Sequence, residues 1–365
     1  MSEPVPEIVV EPPDAVAAAA QEKEKEEEEQ LLVSKPAIPS VSQETAAFLE
    51  QYLPPLRQPH VSAKLQPPTL NQALQEQPKT RPFVTLTYAT SLDSHLALAP
   101  SVPTHLSGPL TKSLTHYLRS RHDGILIGVG TATADDPSLN CRMEGVGGYN
   151  TCETLEELTE SNLLIPNDDH EDDDYESYQL PGQPRPIILD PNRRWHFTRN
   201  SRIFQTVREG KGKAPIILTH ASSQQGPGEA ERWRILCEHD GLFMYPKEEK
   251  DTKEKSKHRT KTKGRWSWKY ILEFLYKEAD IKSLMIEGGG NVINDLLSRK
   301  ENLELIDAVI ITIAPVYLGK GGVNVSPDGG NVEARKAPSV TFKDVEWTVL
   351  GRDVVMAARP QLHAA

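Results

Sequence analysis

Two glycine-containing turns are the parts of this sequence whose residue types and spacing could do chemistry. They lie in GILIGVGTATADDPSLNCR at 124–142 and in LMIEGGGNVINDLL at 284–297, and each follows an apolar, strand-like stretch. Glycine has no Cβ, so its backbone can approach a phosphate closely, and a helix that follows offers free N–H groups. The two turns together predict a nucleotide held between separate parts of one sheet.

Each residue of these turns, taken alone, also has a simpler explanation. The run Gly288–Gly290 does not match GxGxxG and could be an ordinary tight connection. Thr131 could cap the short helical turn that follows it. Arg119 and Arg142 could clamp a phosphate bidentately, although a single arginine is more often a surface charge. Glu287 ends an apolar strand, where a half-buried carboxylate needs a partner or a function.

The elements that must position these residues follow from hydrophobic periodicity. Strand-like runs alternate with helical patterns over most of the chain, which predicts a mainly parallel sheet with helices on both faces. The last two strands, within 305–319 and 346–360, have no helix between them and predict an antiparallel edge. The other strands are predicted within 82–93, 124–129, 186–190, 214–220, 242–246 and 283–287, and the helices within 42–54, 110–121, 201–210, 228–239, 266–279 and 291–300.

Three polar segments have too few apolar side chains to offset the entropy of ordering. They define the expected domain organisation. Residues 1–79 are predicted to be a disordered acidic and Pro-rich tail with one short helix near 42–54, capped by Ser42. Residues 80–360 are predicted to be a single α/β domain with polar insertions near 144–184 and 247–265.

Composition and the motifs that the sequence lacks argue against several classes of function. The net charge of −11 gives no general support for binding nucleic acid, and no apolar run reaches the ~18 residues of a membrane span. The three cysteines lack metal-ligand spacing, and no Walker lysine, HExxH, GxSxG or deaminase motif is present. The N-terminus lacks a secretory signal, so a cytoplasmic location is expected. The basic run 247–265 leaves nuclear entry open.

Four segments together resemble a known family. They are FVTLTYATSLDS at 83–94, THYLRSRHDGILIGVGTATADDPSLNCR at 115–142, RPIILD at 185–190 and MIEGGGNVIND at 285–295. In this order they are similar to the reductases of riboflavin biosynthesis, both the fungal single-function enzymes and the C-terminal half of the bacterial bifunctional deaminase–reductases. The resemblance covers roughly 80–145, 184–246 and 266–360 of this chain.

The resemblance implies a fold like that of dihydrofolate reductase, NADPH as cofactor, a homodimer and no metal. The sequence departs from the family in having Ser94 where glycine is common, and in lacking a bacterial Ser-x-Trp near 103–105. The implied substrate contacts are Arg119, Leu139, Arg142 and Glu287. The implied cofactor contacts are Ala89, Thr131, Asp135, Gly289, Gly290, Asn291, Val292, Ile293, Asn294 and Asp295.

The implied reaction is a hydride transfer from NADPH to C1′ of a ribosylamino pyrimidine phosphate, which gives the ribitylamino product. We hypothesise that Glu287 stabilises the open, cationic imine, because a fixed carboxylate favours a nearby developing cation. Whether NADH can replace NADPH stays open. Two alternatives also stay open: a dihydrofolate-reductase-like enzyme with another substrate, and a nucleotide-binding scaffold without turnover.

Overall fold

A nine-stranded mixed sheet carries most of the described chain. The computed structural model describes residues 36–55, 79–149, 180–221, 228–246 and 266–361, apart from 328–329, 333–334 and 338–339. Within these ranges, the residues from Ala37 onward form one compact unit. Two further ribbons, each of two strands, lie outside the large sheet.

The elements are numbered in chain order. The helices are α1 (Gln43–Glu50), α2 (Pro109–Ser120), α3 (Val129–Asp135), α4 (Arg202–Arg208), α5 (Glu229–Glu238), α6 (Trp268–Glu278), α7 (Gly290–Leu297) and α8 (Lys300–Leu303). The strands are β1 (Phe83–Thr90), β2 (His95–Ala97), β3 (Gly124–Gly128), β4 (Arg185–Leu189), β5 (Ile216–Leu218), β6 (Leu242–Met244), β7 (Ser283–Gly288), β8 (Ala308–Ile313), β9 (Val323–Asn324), β10 (Gly330–Val332), β11 (Arg335–Ala337), β12 (Thr341–Leu350) and β13 (Asp353–Gln361).

The strand order of the large sheet is β12-β13-β8-β1-β7-β3-β4-β5-β6. From β8 to β6 all neighbours are parallel, and the middle strand β7 lies between β1 and β3. Strand β13 runs antiparallel to β8 and forms a hairpin with β12. The predicted parallel sheet and its antiparallel C-terminal edge are therefore confirmed, but the segment 346–360, predicted as one strand, belongs to two, β12 and β13.

Helices cover both faces of this sheet because successive strand residues point to opposite sides. Val84 and Leu86 of β1 belong to a hydrophobic layer shared with α6 and α7. On the opposite face, Ile125 and Ile127 of β3 pack with α4 and α5. Met285 of β7 packs there with α1 and α2. The sheet is thus buried between two apolar layers, as its near-continuous apolar strands predict.

Helix α1 begins where its local sequence predicts. The side chain of Ser42 accepts a hydrogen bond from the N–H of Thr45 at 3.2 Å, so the predicted N-cap is confirmed. The helix ends at Glu50 and a turn follows, so it is shorter than the predicted segment 42–54. A buried Leu-Pro pair, Leu53 and Pro54, closes this region, and proline cannot continue a helix.

The described part of the predicted tail 1–79 packs on the core. Leu49 is fully buried and Tyr52 is 1% exposed, both against α2 and the sheet. Residues 1–35 and 56–78 lie outside the described residues. The short helix therefore belongs to the hydrophobic core of the α/β unit.

The described ends of the predicted insertion 144–184 are also packed. The buried amide of Gln183 accepts from the N–H of Cys141 at 2.8 Å and donates to the carbonyl oxygens of Cys141 and Gly147. The middle of that segment, and the whole of 247–265, lie outside the described residues. In the part of the chain that the structure describes, no helix is long and apolar enough to cross a membrane.

If α1 is part of the core, Leu49→Ala should lower the free energy of unfolding by about 2–5 kcal/mol, because it removes buried methyl groups and leaves a cavity. Gln43→Ala, at an exposed position of the same helix, should change it by less than about 0.5 kcal/mol. Urea unfolding followed by circular dichroism measures both. Equal, small effects would show that α1 is dispensable for stability.

Candidate active site

A cleft of about 840 Å³ opens where β1, β3, β4, β7 and β8 reach their carboxyl ends. Open α/β sheets bind ligands at this edge. Among the predicted substrate residues, Glu287 lines the cleft. The predicted cofactor residues line it as well: Ala89, Thr131, Asp135, Gly289, Gly290, Asn291, Val292, Ile293, Asn294 and Asp295.

Consecutive glycines make the turn from β7 into α7. Gly288 and Gly289 have φ angles of 77° and 108°, a region that favours glycine. A Cβ on Gly289 would lie 2.7 Å from Thr131 Oγ1, and a Cβ on Gly290 would lie 2.6 Å from a methyl group of Val323. Bare backbone at the start of a helix therefore forms one wall of the cleft, and such a wall suits a phosphate group.

Thr131 joins the two glycine-containing turns. It lies inside α3, and its Oγ1 donates to the carbonyl oxygen of Gly288 at 3.4 Å. The capping interpretation of Thr131 is wrong, because the N-cap of α3 is Gly128. Asp135 ends the same helix with an exposed side chain; partial desolvation raises the pKa of its carboxyl group, and the nearby His105 opposes that shift.

Several predicted cofactor residues on α7 also hold the cleft walls together. The amide of Asn294 donates to the carbonyl oxygen of Asn324 and accepts from the N–H of Ser326, each at 2.9 Å. The carboxylate of Asp295 accepts from the indole N–H of Trp268 at 2.7 Å. These contacts fix the walls whether or not the same side chains also touch a ligand.

Arg119 of α2 and Glu287 of β7 form a bidentate ion pair. Nε and Nη2 donate to the two carboxylate oxygens at 2.9 and 2.8 Å, and Nη1 donates to the carbonyl oxygen of Asn140 at 3.0 Å. The two side chains are 13% and 20% exposed. Burial opposes the charge of Arg119, but the charge and hydrogen bonds of Glu287 raise the pKa of Arg119 above its ordinary value. The pair fixes the carboxylate in the cleft.

Arg142 and Leu139 are buried and do not line the cleft. The backbone N–H of Arg142 donates to Nδ1 of His116 at 3.0 Å. Burial lowers the pKa of Arg142, Tyr149 opposes this, and the nearby charge of Arg119 adds to it. The side chain of Leu139 packs in the core with β3, so a substrate contact at this residue would have to use its backbone.

One wall of the cleft lies outside every predicted motif. It comes from β2, β9 and the loop before α2, and it includes Ala99–Val102, Thr104 and Ser107. This loop has no hydrophobic periodicity, so its position in the cleft wall could not be predicted from the sequence. Tyr88 of β1 faces the same space, and burial raises its pKa to about 12, so it presents a neutral phenol.

Asp93 fastens this wall to the rest of the site. Its carboxylate accepts from Ser91 Oγ at 2.5 Å and from the N–H groups of Leu318 and Gly319 at 3.1 and 2.8 Å. The hydrogen bond from Ser91, together with the backbone bonds, holds the pKa of Asp93 well below its usual range. The next residue, Ser94, has φ of 62°, which explains why glycine is common there.

Comparison with known proteins identifies the family of this chain. Residues 82–356 match the family described as the RibD C-terminal domain. The chain belongs to the RibD C-terminal domain family. Proteins named 2,5-diamino-6-ribosylamino-4(3H)-pyrimidinone 5′-phosphate reductase are similar to it. One, from Candida glabrata, is 38% identical over 281 residues, which are 77% of this chain and 90% of that protein. Another, from Saccharomyces cerevisiae, is 33% identical over 278 residues, 76% and 86% of the two chains.

Solved structures of this family share the fold. The Saccharomyces cerevisiae riboflavin biosynthesis reductase Rib7 superposes with a TM-score of 0.55 at 29% identity, over 87% of this chain and all of that chain. Acinetobacter baumannii RibD superposes with a TM-score of 0.51 at 19% identity, over 78% of this chain and 59% of that chain. The predicted dihydrofolate-reductase-like fold of this RibD C-terminal domain is confirmed.

The cleft of this RibD C-terminal domain can act by placement and by fixed charge. It offers a bare backbone turn, a carboxylate locked by an arginine, and neutral hydroxyl groups. Among the residues that the structure describes, no group of three or more His, Cys, Asp or Glu could hold a metal ion. Positioning of two reactants, with a charge aimed at the reacting atoms, can supply several kcal/mol of a barrier.

We expect the Arg119–Glu287 pair to couple strongly in stability. Either Arg119→Leu or Glu287→Leu should lower the free energy of unfolding by about 3–5 kcal/mol, because each leaves a mostly buried charge unpaired. The double variant should lower the free energy of unfolding by much less than the sum of the two single effects. A double-mutant cycle by denaturant unfolding measures this coupling. The exposed pair Arg234–Glu231 is the control, and its coupling energy should be about 1 kcal/mol or less. Additive effects of the substitutions at Arg119 and Glu287 would contradict the pairing.

Proposed function

We propose that this chain reduces the ribosylamino group of 2,5-diamino-6-ribosylamino-4(3H)-pyrimidinone 5′-phosphate to the ribitylamino group with NADPH, a step of riboflavin biosynthesis. One observation carries the proposal: the fixed carboxylate of Glu287 and the bare backbone of Gly289 and Gly290 line the same cleft. The names of the relatives support it, since they describe this reductase.

The residues of the cleft fit a nicotinamide dinucleotide. The pyrophosphate would lie on the backbone of Gly289 and Gly290, with Thr131 beside it; a Cβ at these two positions would collide with the neighbouring Thr131 and Val323. The nicotinamide would extend toward Ala89 and Glu287, because β1 and β7 are adjacent strands. When bound, this cofactor supplies the hydride.

The substrate must open its sugar ring before it can accept that hydride. As the ring opens, the amine loses a proton, the ring oxygen gains one, and a C1′=N double bond forms. The hydride then adds to C1′ and a proton adds to the nitrogen, which leaves a ribitylamino group. The cleft has to hold C1′ against the hydride donor and favour the protonated imine.

Glu287 is the candidate for that electrostatic role. Both carboxylate oxygens are already held by Arg119, so no reorganisation of the carboxylate is needed when the cation develops. Arg119 thereby acts as a positioning residue. Three of its five N–H bonds are used by Glu287 and Asn140, which leaves two for other hydrogen bonds.

The substrate phosphate needs a cation near this end of the cleft. Arg142 lies close enough to Arg119 for their charges to interact, and both sit on segments that flank β3. Neither arginine is among the residues that line the cleft. We propose that the two arginines, with the backbone at Leu139, attract the phosphate through the positive charge of their guanidinium groups.

A second copy of the chain is proposed to cover an apolar face on the sheet edge. Trp347 and Val349 of the edge strand β12 lie on one face, 56% and 68% exposed. Exposed apolar rows on edge strands favour pairing with another chain. This supports the homodimer implied by the family resemblance. A cytoplasmic location and the absence of a nucleic-acid partner stay predictions.

The activity is tested by following NADPH oxidation at 340 nm with the purified full chain. We expect turnover with the ribosylaminopyrimidine phosphate and none with dihydrofolate. In the same assay Glu287→Gln should lower kcat by about 10²–10³-fold and leave NADPH affinity nearly unchanged, because the cofactor rests on the glycines. Turnover of dihydrofolate alone, or cofactor binding without any turnover, would favour one of the two alternatives.

Arg194 supports NADPH over NADH as the cofactor. It is the one cation among the described residues that line the cleft, and its side chain is exposed. The buried carboxylate of Asp190 accepts from the N–H groups of Arg194 and Trp195 at 2.9 and 2.8 Å, which fixes the turn after β4. With the nicotinamide beside β1 and β7, the adenosine end would lie toward β3 and β4, within reach of Arg194.

Arg194→Gln should therefore weaken NADPH binding by about 1.5–3 kcal/mol, or roughly 10- to 150-fold, because it removes a charge-assisted contact to the 2′-phosphate. NADH binding should stay within about twofold, and the exposed Arg234→Gln should change neither. Quenching of tryptophan fluorescence gives both dissociation constants. Equal weakening of NADPH and NADH would remove Arg194 from the 2′-phosphate site.

A further inference from the structure

A segment before the resemblance begins, residues 37–53, connects two parts of the proposed substrate site; we name it the N-terminal strap. Its first anchor is Ile38, which forms a parallel bridge with Met143. The N–H of Ile38 donates to the carbonyl oxygen of Arg142 at 2.7 Å, and the N–H of Glu144 donates to the carbonyl oxygen of Ile38 at 3.0 Å. The strap therefore holds the backbone on both sides of Met143, the residue that follows the buried Arg142.

The second anchor of the strap is Glu50, at the end of α1. Its carboxylate accepts from the hydroxyl of Tyr117 at 2.6 Å and from Arg121 Nη1, and Arg121 Nη2 donates to the carbonyl oxygen of Pro54 at 3.2 Å. Tyr117 and Arg121 flank Arg119 in the sequence of α2 and its C-cap. The hydrogen bonds of Glu50 therefore hold α2, the helix that carries Arg119, against the strap.

On either side of Glu50 the strap is also bound by packing. Leu49, Tyr52 and Leu53 share a hydrophobic layer with Leu114 and Leu118 of α2. This contact gives the strap a fixed position relative to α2, so its two anchors act on α2 and on the arginine-bearing loop together.

We infer that the N-terminal strap is a positioning element for substrate binding: through Ile38 and Glu50 it sets the relative placement of the Arg142 loop and the Arg119 helix. The inference rests on the proposed function, which assigns the substrate phosphate to these arginines. The proposed cofactor residues lie on β1, α3 and α7 and in the turns after β4 and β7, and the hydrogen bonds of Ile38 and Glu50 named above go to none of these segments. The strap should consequently affect substrate affinity and not cofactor affinity.

The test compares two substitutions at one residue of the full chain. Ile38→Pro removes the N–H that donates to Arg142, whereas Ile38→Ala trims the side chain and keeps both backbone hydrogen bonds. We expect Ile38→Pro to raise KM for the ribosylaminopyrimidine phosphate about threefold to tenfold above that of Ile38→Ala, the effect of one lost hydrogen bond. We expect kcat and the dissociation constant of NADPH to stay within about twofold.

A second pair of variants tests the other anchor. Glu50→Ala should raise the same KM severalfold, and Glu44→Ala, at an exposed position on the same helix, should not. Hydrogen exchange supplies a readout without activity: the amides of residues 142–145 should exchange faster in Ile38→Pro than in Ile38→Ala. Absence of wild-type turnover would refute the proposed function, whereas the exchange result would still report on the strap.

Two outcomes would overturn the inference. One is an unchanged substrate KM in both Ile38→Pro and Glu50→Ala, with unchanged exchange at 142–145. The other is a joint loss of kcat, NADPH affinity and thermal stability that matches the loss of substrate affinity, which would reduce the strap to a general stabiliser of the fold.

Discussion

The ion pair between Arg119 and Glu287 is the interaction on which the geometry of the site depends. It joins α2 to the carboxyl end of β7, and its third hydrogen bond, to Asn140, reaches the loop before Arg142. Because the pair is mostly buried, neither residue can leave it without a large cost in free energy. The same pair therefore fixes the carboxylate in the cleft and holds together the helix and the loop proposed to bind phosphate.

The position of the glycine turn between β7 and α7 depends on the same ion pair. Glu287 and Gly289 are separated by one residue on a strand end, so fixing the carboxylate also fixes the start of α7. Thr131 then links that turn to the turn after β3. A cofactor on the glycines and a substrate beside Glu287 would thus be placed by the same few backbone positions, which suits catalysis by proximity.

The sequence was sufficient to predict the sheet, its antiparallel edge and the glycine turn, because apolar periodicity and glycine act locally. It was not sufficient for the partner of Arg119, since Glu287 lies 168 residues further on and only the adjacency of α2 and β7 joins them. Thr131 shows the same limit. A threonine shortly after a strand is typical of a helix cap, but Thr131 instead donates to the carbonyl oxygen of Gly288, in a turn that is distant in sequence. The sequence predicted the short helix of the strap but not its packing on the core, because the segment around it is polar and Pro-rich and only a few apolar residues, such as Leu49, are buried.

The cleft is proposed to place the hydride donor of a bound NADPH against C1′ of the substrate. A reaction with NADPH deuterated at the transferable position of C4, followed by mass spectrometry and NMR of the ribitylamino product, tests this placement. We expect one deuterium per product molecule, at C1′ and in a single stereochemical configuration. A product without deuterium, or with deuterium at another carbon of the side chain, would contradict the proposed placement of Glu287 and the glycine turn around C1′.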